Sequence, residues 1–181
     1  MRNIMINCFE ESKLKQILIS IFDDKDNVED YHIGFVIEIF ENSILIQTYD
    51  AYGNNDGLVL IRFIDIFKVE KETEYHKKML SIITNQIRSN EKQFDFIIDK
   101  KDNDGIHNVI VHCKNNNILL TIKLIYAYYI TGFIFQYDNQ ILQIKTYSKY
   151  GKYLGDTFIK FEDIMGIAYG RQEEIFTNKL I

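Results

Sequence analysis

The feature that most constrains this chain is an internal repeat. The segment 34–69 aligns without a gap onto 132–167 at a constant offset of 98 positions, and 12 of the 36 aligned positions are identical. The identical pairs are Gly34/Gly132, Phe35/Phe133, Ile46/Ile144, Thr48/Thr146, Tyr49/Tyr147, Tyr52/Tyr150, Gly53/Gly151, Gly57/Gly155, Ile61/Ile159, Phe63/Phe161, Asp65/Asp163 and Ile66/Ile164. Self-similarity at one spacing indicates that a structural unit occurs twice. We therefore expect two similar units, 1–90 and 91–181.

The composition favours β-structure in both units. Of the 181 residues, 32 are Ile, 25 are Tyr or Phe, and only three are Ala. Side chains that are β-branched or aromatic suit a pleated, half-buried surface, whereas Ala is the best helix former. The fold class predicted from these residues is mainly β, with flanking helices.

Hydrophobic periodicity predicts a short helix and about five strands in each unit. For the first unit the predicted elements are a helix at 5–15 and strands at 16–22, 31–40, 43–49, 58–64 and 66–70. For the second unit they are a helix at 108–115, where the Val and Ile content leaves a strand as the alternative, and strands at 118–125, 128–137, 141–147, 157–161 and 165–169. An apolar stripe of Met79, Ile82, Ile83 and Ile87 predicts a further helix within 71–89. A shorter helix is expected at the equivalent place, 171–180, and the segment 94–98 completes the connector.

The two cysteines are too few for a disulfide framework. The segment 3–8 resembles 108–113, which would give Cys8 and Cys113 the same repeat position and favours a buried, structural role for both. No apolar run reaches about 18 residues, so no membrane span is expected, and the N-terminus lacks the apolar region of a signal peptide. We interpret the chain as a reduced cytoplasmic protein, and its Ile, Asn and Lys content as typical of an AT-rich bacterial genome.

The charge balance disfavours nucleic acid as a partner. The formal net charge is −5, and all of it arises in residues 1–90, with 10 basic and 15 acidic side chains, while the second half carries 11 of each. Nucleic-acid binders usually present a basic surface. An acidic run in the first unit is either a solvated loop or a contact for a basic protein, and comprises Asp23, Asp24, Asp26, Glu29 and Asp30.

A helix followed by five bent strands, with Gly34 inside the second strand, resembles the Sm-like family of small β-barrels. The stretch Gly34-Phe35-Val36 and the run 44–46 look like the first motif of that family, and 57–66, with Ile61-Arg62, looks like the second. The second unit has Gly132 and Ile159-Lys160 in those places. The resemblance implies two tandem Sm-like or SH3-like five-stranded barrels, each preceded by a short helix.

The chain departs from the family's RNA-binding pattern. RNA-binding members hold a base with an Asp-x-x-x-Asn loop and an Arg-Gly pair. Here Phe63 and Phe161 replace the Gly of that pair, and Ser43 and Ile141 stand within one residue of the expected Asn. The resemblance therefore implies the fold and not the RNA site. Because family members join through edge strands, the tandem copies are expected to form an intramolecular pseudo-dimer, with a further oligomer left open.

The most distinctive candidate site is the repeated Thr-Tyr-x-x-Tyr-Gly motif. Exposed tyrosines in a loop can stack on bases or anchor a protein interface. Alternatively they cap the barrel, and the glycines permit the turn. The candidate binding residues, which include the two basic residues of the second motif, are Tyr49, Tyr52, Gly53, Arg62, Tyr147, Tyr150, Gly151 and Lys160.

No catalytic or metal-binding motif is present in the sequence. His107, His112 and Cys113 are spaced like metal ligands, but the sequence has no second pair of ligands to complete a site. Asp65 and Asp163 are placed as typical acceptors of turn hydrogen bonds. We therefore predict no enzyme, no cofactor and no metal. The predicted function is a bacterial, non-enzymatic binding module, protein-binding or regulatory and in one version immunity-like. The alternative is RNA binding through the tyrosine loops and local basic residues. A third hypothesis, that the chain is an unrecognised enzyme, would need a pocket that joins Asp65 or Asp163 to a histidine.

Overall fold

The computed structural model describes residues 4–27, 29, 31–89, 103–125 and 128–181, and the side chains of all of these except 85–89. The first half contains α1 (Ile4–Lys15), β1 (Ile19–Phe22), β2 (His32–Ile39), β3 (Ser43–Tyr49), β4 (Asn55–Arg62), β5 (Lys68–Lys71) and α2 (Glu74–Ser89). The second half contains α3 (Gly105–Asn115), β6 (Leu120–Leu124), β7 (Tyr128–Tyr137), β8 (Ile141–Tyr147), β9 (Tyr153–Lys160), β10 (Ile164–Tyr169) and α4 (Gln172–Asn178). The mainly β class is confirmed. The predicted connector segment 94–98, Asp30 of the acidic run and the Ile87 side chain lie outside the described residues.

The ten strands form one antiparallel sheet in the order β5-β1-β2-β3-β4-β10-β6-β7-β8-β9. Each half contributes five neighbouring strands in the same internal order, namely its fifth, first, second, third and fourth strand. The two halves meet where β4 pairs with β10. The edge strands of the described sheet are β5 and β9.

The strand registers of the two halves are the same. Gly34 faces both Ile19 and Thr48, and its counterpart Gly132 faces Leu120 and Thr146 in the same way. The register then shifts at the same point of β2 and β7, one residue beyond Val36 and Ile134. Bulges of this kind bend a strand, so both halves curve at equivalent places.

The predicted equivalence of Cys8 and Cys113 is wrong. Gln16 and Asn117 leave the two helices with left-handed φ values of 53° and 50°. The amide of Ile17 donates to the carbonyl of Ser12, and the amide of Ile118 donates to that of Cys113. Ser12 is therefore the counterpart of Cys113, and it lies four residues after Cys8, which the sequence match had paired with Cys113. Because four residues are about one helical turn, the apolar pattern fits almost equally well at either offset.

The helices cover the sheet. Phe9 of α1 is fully buried in a core with strands of the first half, including Ile19 and Ile44. Val109 and Ile110 of α3 pack in a core that contains strands of both halves. The buried first-half members of that core are Phe40, Leu45, Leu58 and Leu60, so α3 covers the line where the repeats join. Met79 and Ile83 of α2 pack on another part of the first half. Among the described residues no helix is long and apolar enough to cross a membrane.

A buried polar pair ties the last helix of each half to the first strand of that half. The ring of His76 in α2 lies 3.0 Å from the hydroxyl of Ser20. In the second half the hydroxyl of Thr121 donates to the carboxylate of Glu174 in α4 at 2.7 Å. The two pairs are repeat counterparts, so the repeat extends through the terminal helix, where the sequence predicted one.

Candidate functional site

The first tyrosine of each predicted loop belongs to the packed interior. Tyr49 is buried and meets the ring of Phe35 edge-on, with centroids 5.7 Å apart. Tyr147 is half-buried and contacts Phe133 in the same geometry at 5.8 Å. Burial raises the pKa of Tyr49. These two residues therefore serve packing in both copies.

The second tyrosine of each loop is exposed to solvent. Tyr52 is 77% exposed and Tyr150 is 72% exposed. The glycines that follow them, Gly53 and Gly151, have φ values of 79° and 74°. A Cβ on Gly53 would lie 2.6 Å from the Ile82 side chain of α2, and one on Gly151 would lie 2.7 Å from the backbone of Leu180. The first turn thus lies against α2, and the second lies against the turn that follows α4.

The basic residues of the candidate set lie elsewhere. Arg62 donates from Nε to Asp65 at 2.8 Å and from Nη1 to the carbonyl of Glu162 at 2.9 Å, so it links the two halves. Lys160 is exposed and lies 3.3 Å from the Glu162 carboxylate. Arg62 and Lys160 end the strands that the tyrosine loops precede. A strand of eight residues spans about 25 Å, so the structure does not gather these residues into one site.

The sequence reasoning missed an apolar edge. Tyr153, Leu154 and Phe158 of β9 are 50%, 61% and 66% exposed, and Phe135, at the bulge of β7 two strands away, is also exposed. Their exposure contrasts with β4, the repeat counterpart of β9, whose central residues are buried because β10 pairs with it. We call Phe135, Tyr153, Leu154 and Phe158 the β9 edge patch.

Polar contacts fix the surroundings of the β9 edge patch. The Tyr153 hydroxyl donates to Asp156 Oδ1 at 2.6 Å, and Gln143 Nε2 donates to Asp156 Oδ2 at 3.0 Å. The hydrogen bond to Asp156 raises the pKa of Tyr153. The Lys145 ammonium lies 4.7 Å from the centroid of the Phe135 ring. The patch therefore combines apolar area with one fixed carboxylate.

A cavity of about 330 Å³ lies beside the junction of the two halves, where β4, β10 and β6 meet. Lys123 Nζ lies 2.9 Å from Asp23 Oδ2, and His32 Nε2 lies 3.5 Å from Asp23 Oδ1. Burial opposes ionisation of Asp23, but the contacts with His32 and Lys123 outweigh it and lower its pKa to about 2. The Asp23 carboxylate and the Lys123 ammonium form an ion pair that connects the first half to β6.

Among the described residues, the side chains that the sequence singled out do not come together as a metal site or as an acid–base pair. No group of three or more His, Cys, Asp or Glu side chains in the described part of the chain is placed to hold a metal ion. The junction cavity is lined by Asp23 and His32, and not by Asp65, Asp163 or the histidines of α3. Asp65 instead receives the Arg62 guanidinium.

Comparison with protein-family models, with curated proteins and with solved structures gave no match.

Proposed function

We propose that this chain is a non-enzymatic protein-binding module of two Sm-like barrels, and that it binds its partner at the β9 edge patch. One observation carries the proposal: β9 exposes large apolar side chains at a sheet edge that no described strand pairs with, whereas β4, its repeat counterpart, is covered. An edge strand presents unpaired backbone groups, and proteins recognise such edges by adding a strand. Apolar side chains clustered at an edge supply the contact area that such pairing needs.

The strand order supports the barrel part of the proposal. Each half orders its strands as fifth, first, second, third and fourth, and each bends its second strand at the same bulge. A curved antiparallel sheet of five strands, preceded by a helix, is the arrangement that the Sm-like resemblance implies.

The alternative function, RNA binding, draws on a different surface. Tyr52 and Tyr150 are exposed, and the Lys149 ammonium lies 5.3 Å from the centroid of the Tyr150 ring. Bases can stack on such rings. The net charge of −5 and the use of Arg62 in a structural link weigh against this function.

The test is affinity capture with the full chain from its cell of origin at moderate salt, scoring protein and RNA together. We expect the wild-type chain to retain a stoichiometric protein. Phe158→Asp should lose it, because a carboxylate would be buried at the contact. Phe176→Asp is the matched control, since Phe176 is similarly exposed but lies on α4.

Two results would contradict the proposal. Equal capture by wild type and Phe158→Asp would remove the β9 edge patch as the binding surface. Enriched RNA that is lost at high salt, and lost with Tyr52→Ala/Tyr150→Ala, would favour the RNA-binding function instead.

A further inference from the structure

The junction cavity lies on one face of the sheet, where four neighbouring strands contribute two rows of facing residues. One row consists of Val59 of β4, Ala168 of β10, Thr121 of β6 and Thr131 of β7. The other row consists, in the same strand order, of Ile61, Gly166, Lys123 and Tyr129. All of these residues line the cavity. Residues that face one another across antiparallel strands project from the same side of a sheet, so the two rows form the floor of the cavity.

A glycine in β10 leaves the space above this floor open. Among the described residues, a Cβ on Gly166 would meet only the carbonyl group of Leu60 within 4 Å, and no side chain. The repeat counterpart of Gly166 is Lys68 of β5, whose ammonium lies 4.2 Å from the centroid of the Phe22 ring. The first half therefore places a long side chain where the second half has none.

The two repeats also differ in the polarity of this face. In the first half Phe22 stacks on Tyr31 with ring centroids 5.0 Å apart, and Ile33 is buried in the core that α2 covers. The strand registers give Lys123 and Thr131 as the counterparts of Phe22 and Ile33. Burying polar groups is costly unless they are hydrogen-bonded, so packing alone would favour apolar residues here. The polar lining of the second half therefore indicates a polar occupant.

Two basic side chains of the lining have hydrogen-bond donors that the described residues do not use. Lys123 is 8% exposed, and its ammonium, which has three N–H groups, has one hydrogen-bond partner among these residues, Asp23. Arg171 donates from Nε and Nη2 to Glu174, and its Nη1 has no hydrogen-bond partner in the described part of the chain. Donors that are shielded from bulk water favour a ligand that brings acceptor atoms to them.

Acceptor atoms line the same cavity. The Thr121 hydroxyl donates to the Glu174 carboxylate, so Thr131 is the donor in the hydrogen bond between the two threonines. The Thr131 oxygen therefore keeps its capacity to accept. The Glu173 side chain is 66% exposed and lies 3.7 Å from Arg171 Nη2, so it places a carboxylate where the cavity opens to solvent.

The lining is balanced in charge and divided in polarity. It contains two acidic side chains, Asp23 and Glu173, and two basic ones, Lys123 and Arg171, with histidine counted as neutral. A ligand without net charge keeps this balance. The β4 side of the floor is apolar, whereas the β6 and β7 side is polar. The volume of about 330 Å³ is near the lower end of small-molecule sites, which favours a small amphiphilic zwitterion.

We propose that the junction cavity binds a free apolar α-amino acid of the size of leucine. Lys123 and Arg171 donate to its carboxylate, Thr131 and Glu173 accept from its ammonium, and its aliphatic side chain lies against the β4 side of the floor. The ion pair of Lys123 with Asp23 stays in place, because it uses one N–H group of three. This site shares no residue with the β9 edge patch and does not depend on the proposed function.

The first test measures the binding of L-leucine to the full chain by isothermal titration calorimetry. Two matched probes are isocaproate, which lacks the ammonium, and isoamylamine, which lacks the carboxylate. Leucine should bind saturably and at equimolar stoichiometry. Each matched probe should bind about tenfold more weakly or worse, because each lacks hydrogen bonds that involve a charged group.

Two results of the first test would overturn the proposal. Isocaproate that binds as tightly as leucine would show that the site takes an anion and not an amino acid. The absence of saturable binding by L-valine, L-leucine, L-isoleucine and L-methionine at millimolar concentrations would remove the site.

The second test places the ligand with variants that keep shape or charge. Thr131→Val removes an acceptor, and Arg171→Lys keeps the positive charge beside Glu174 but removes the planar fork of donors. Each should weaken leucine binding by about tenfold. The matched controls are Thr146→Val, because Thr146 pairs with Thr157 outside the cavity, and Arg62→Lys, because Arg62 pairs with Asp65. Leucine affinity equal to that of the wild type in both cavity variants would overturn the placement.

The third test fills the cavity and has thermal unfolding as its measurement. A ligand that binds only the folded chain raises the melting temperature. Leucine should therefore raise the melting temperature of the wild type and of Ala51→Ile, a control in the exposed turn after β3. Ala168→Ile, which places a larger side chain on the floor, should lose the rise while it still unfolds cooperatively. An equal rise in Ala168→Ile and the wild type would overturn the inference.

Discussion

The ion pair between Asp23 and Lys123 is expected to hold the two halves together. Asp23 and Lys123 are only 7% and 8% exposed, and their charged atoms are 2.9 Å apart. Removing one member of a buried pair leaves the other charge unpaired, which costs about 3–5 kcal/mol. Asp23→Asn should therefore reduce the free energy of unfolding by about that amount at neutral pH. Urea denaturation measures it, with Asp26→Asn as the control, since Asp26 is exposed.

The pair also predicts how stability depends on pH. The folded-state pKa of Asp23 is about 2, below the ordinary value of 3.8, so the unfolded chain binds a proton more readily. The stabilisation is complete above pH 3.8 and is lost as pH falls through 2. A shift of this size corresponds to roughly 2 kcal/mol. The fall in unfolding free energy over that range should be smaller in Asp23→Asn than in the wild type.

A double-mutant cycle tests the reasoning. Lys123→Met should destabilise the chain because it leaves the Asp23 carboxylate buried without its cation. The double variant Asp23→Asn/Lys123→Met should lose less than the sum of the single losses, because neither charge then remains. Additive losses, or an Asp23→Asn chain as stable as Asp26→Asn, would refute the claim that this pair joins the halves.

Three further predictions follow from buried or constrained groups. Gly57→Ala should lower the melting temperature more than Gly155→Ala, because both strain the backbone but only the first collides with β10. In thiol labelling, Cys8 should react first and Cys113 only on unfolding, because Cys113 is buried and burial raises the pKa of its thiol. The Cys8→Ser variant should lack the fast phase of labelling. Burial lowers the pKa of His76 and His112, so unfolding free energy should fall as pH drops below 6.5, and His76→Asn/His112→Asn should flatten that dependence.

Alternation of apolar and polar residues was a strong guide to the central strands. The segments 43–49, 128–137 and 141–147 were predicted as strands and have the same bounds in the structure. The strands that follow the glycine turns begin earlier than predicted, at Asn55 and Tyr153. Asn and Gly after a turn indicate loop locally, but pairing of Tyr49 with Asn55 and of Tyr147 with Tyr153 extends the sheet into that region. Tertiary pairing here overrides the local signal.

The site could be predicted only in part. The sequence pointed to the tyrosine loops, yet it could not separate Tyr49, which packs on Phe35, from the exposed Tyr52. It also could not identify the β9 edge patch. Whether a strand is at an edge depends on which strand lies beside it, and β4 and β9 carry the same repeat pattern. Only the pairing of β4 with β10 shows that one copy is covered and the other is open.

A comparison of the two copies shows which residues of the first half have kept their character at the β9 edge. Leu45 and Leu58, which share a core with α3, are replaced in the second half by the buried Gln143 and the exposed Asp156, and Gln143 donates a hydrogen bond to Asp156. Phe158, in contrast, remains large and apolar at the position of Leu60, and Gly155 remains at the position of Gly57. Solvent exposure alone would favour a polar residue in place of Phe158, which is 66% exposed. Under the proposed function, a partner at this edge therefore has to match the register of β9 at Phe158 and the open space beside Gly155.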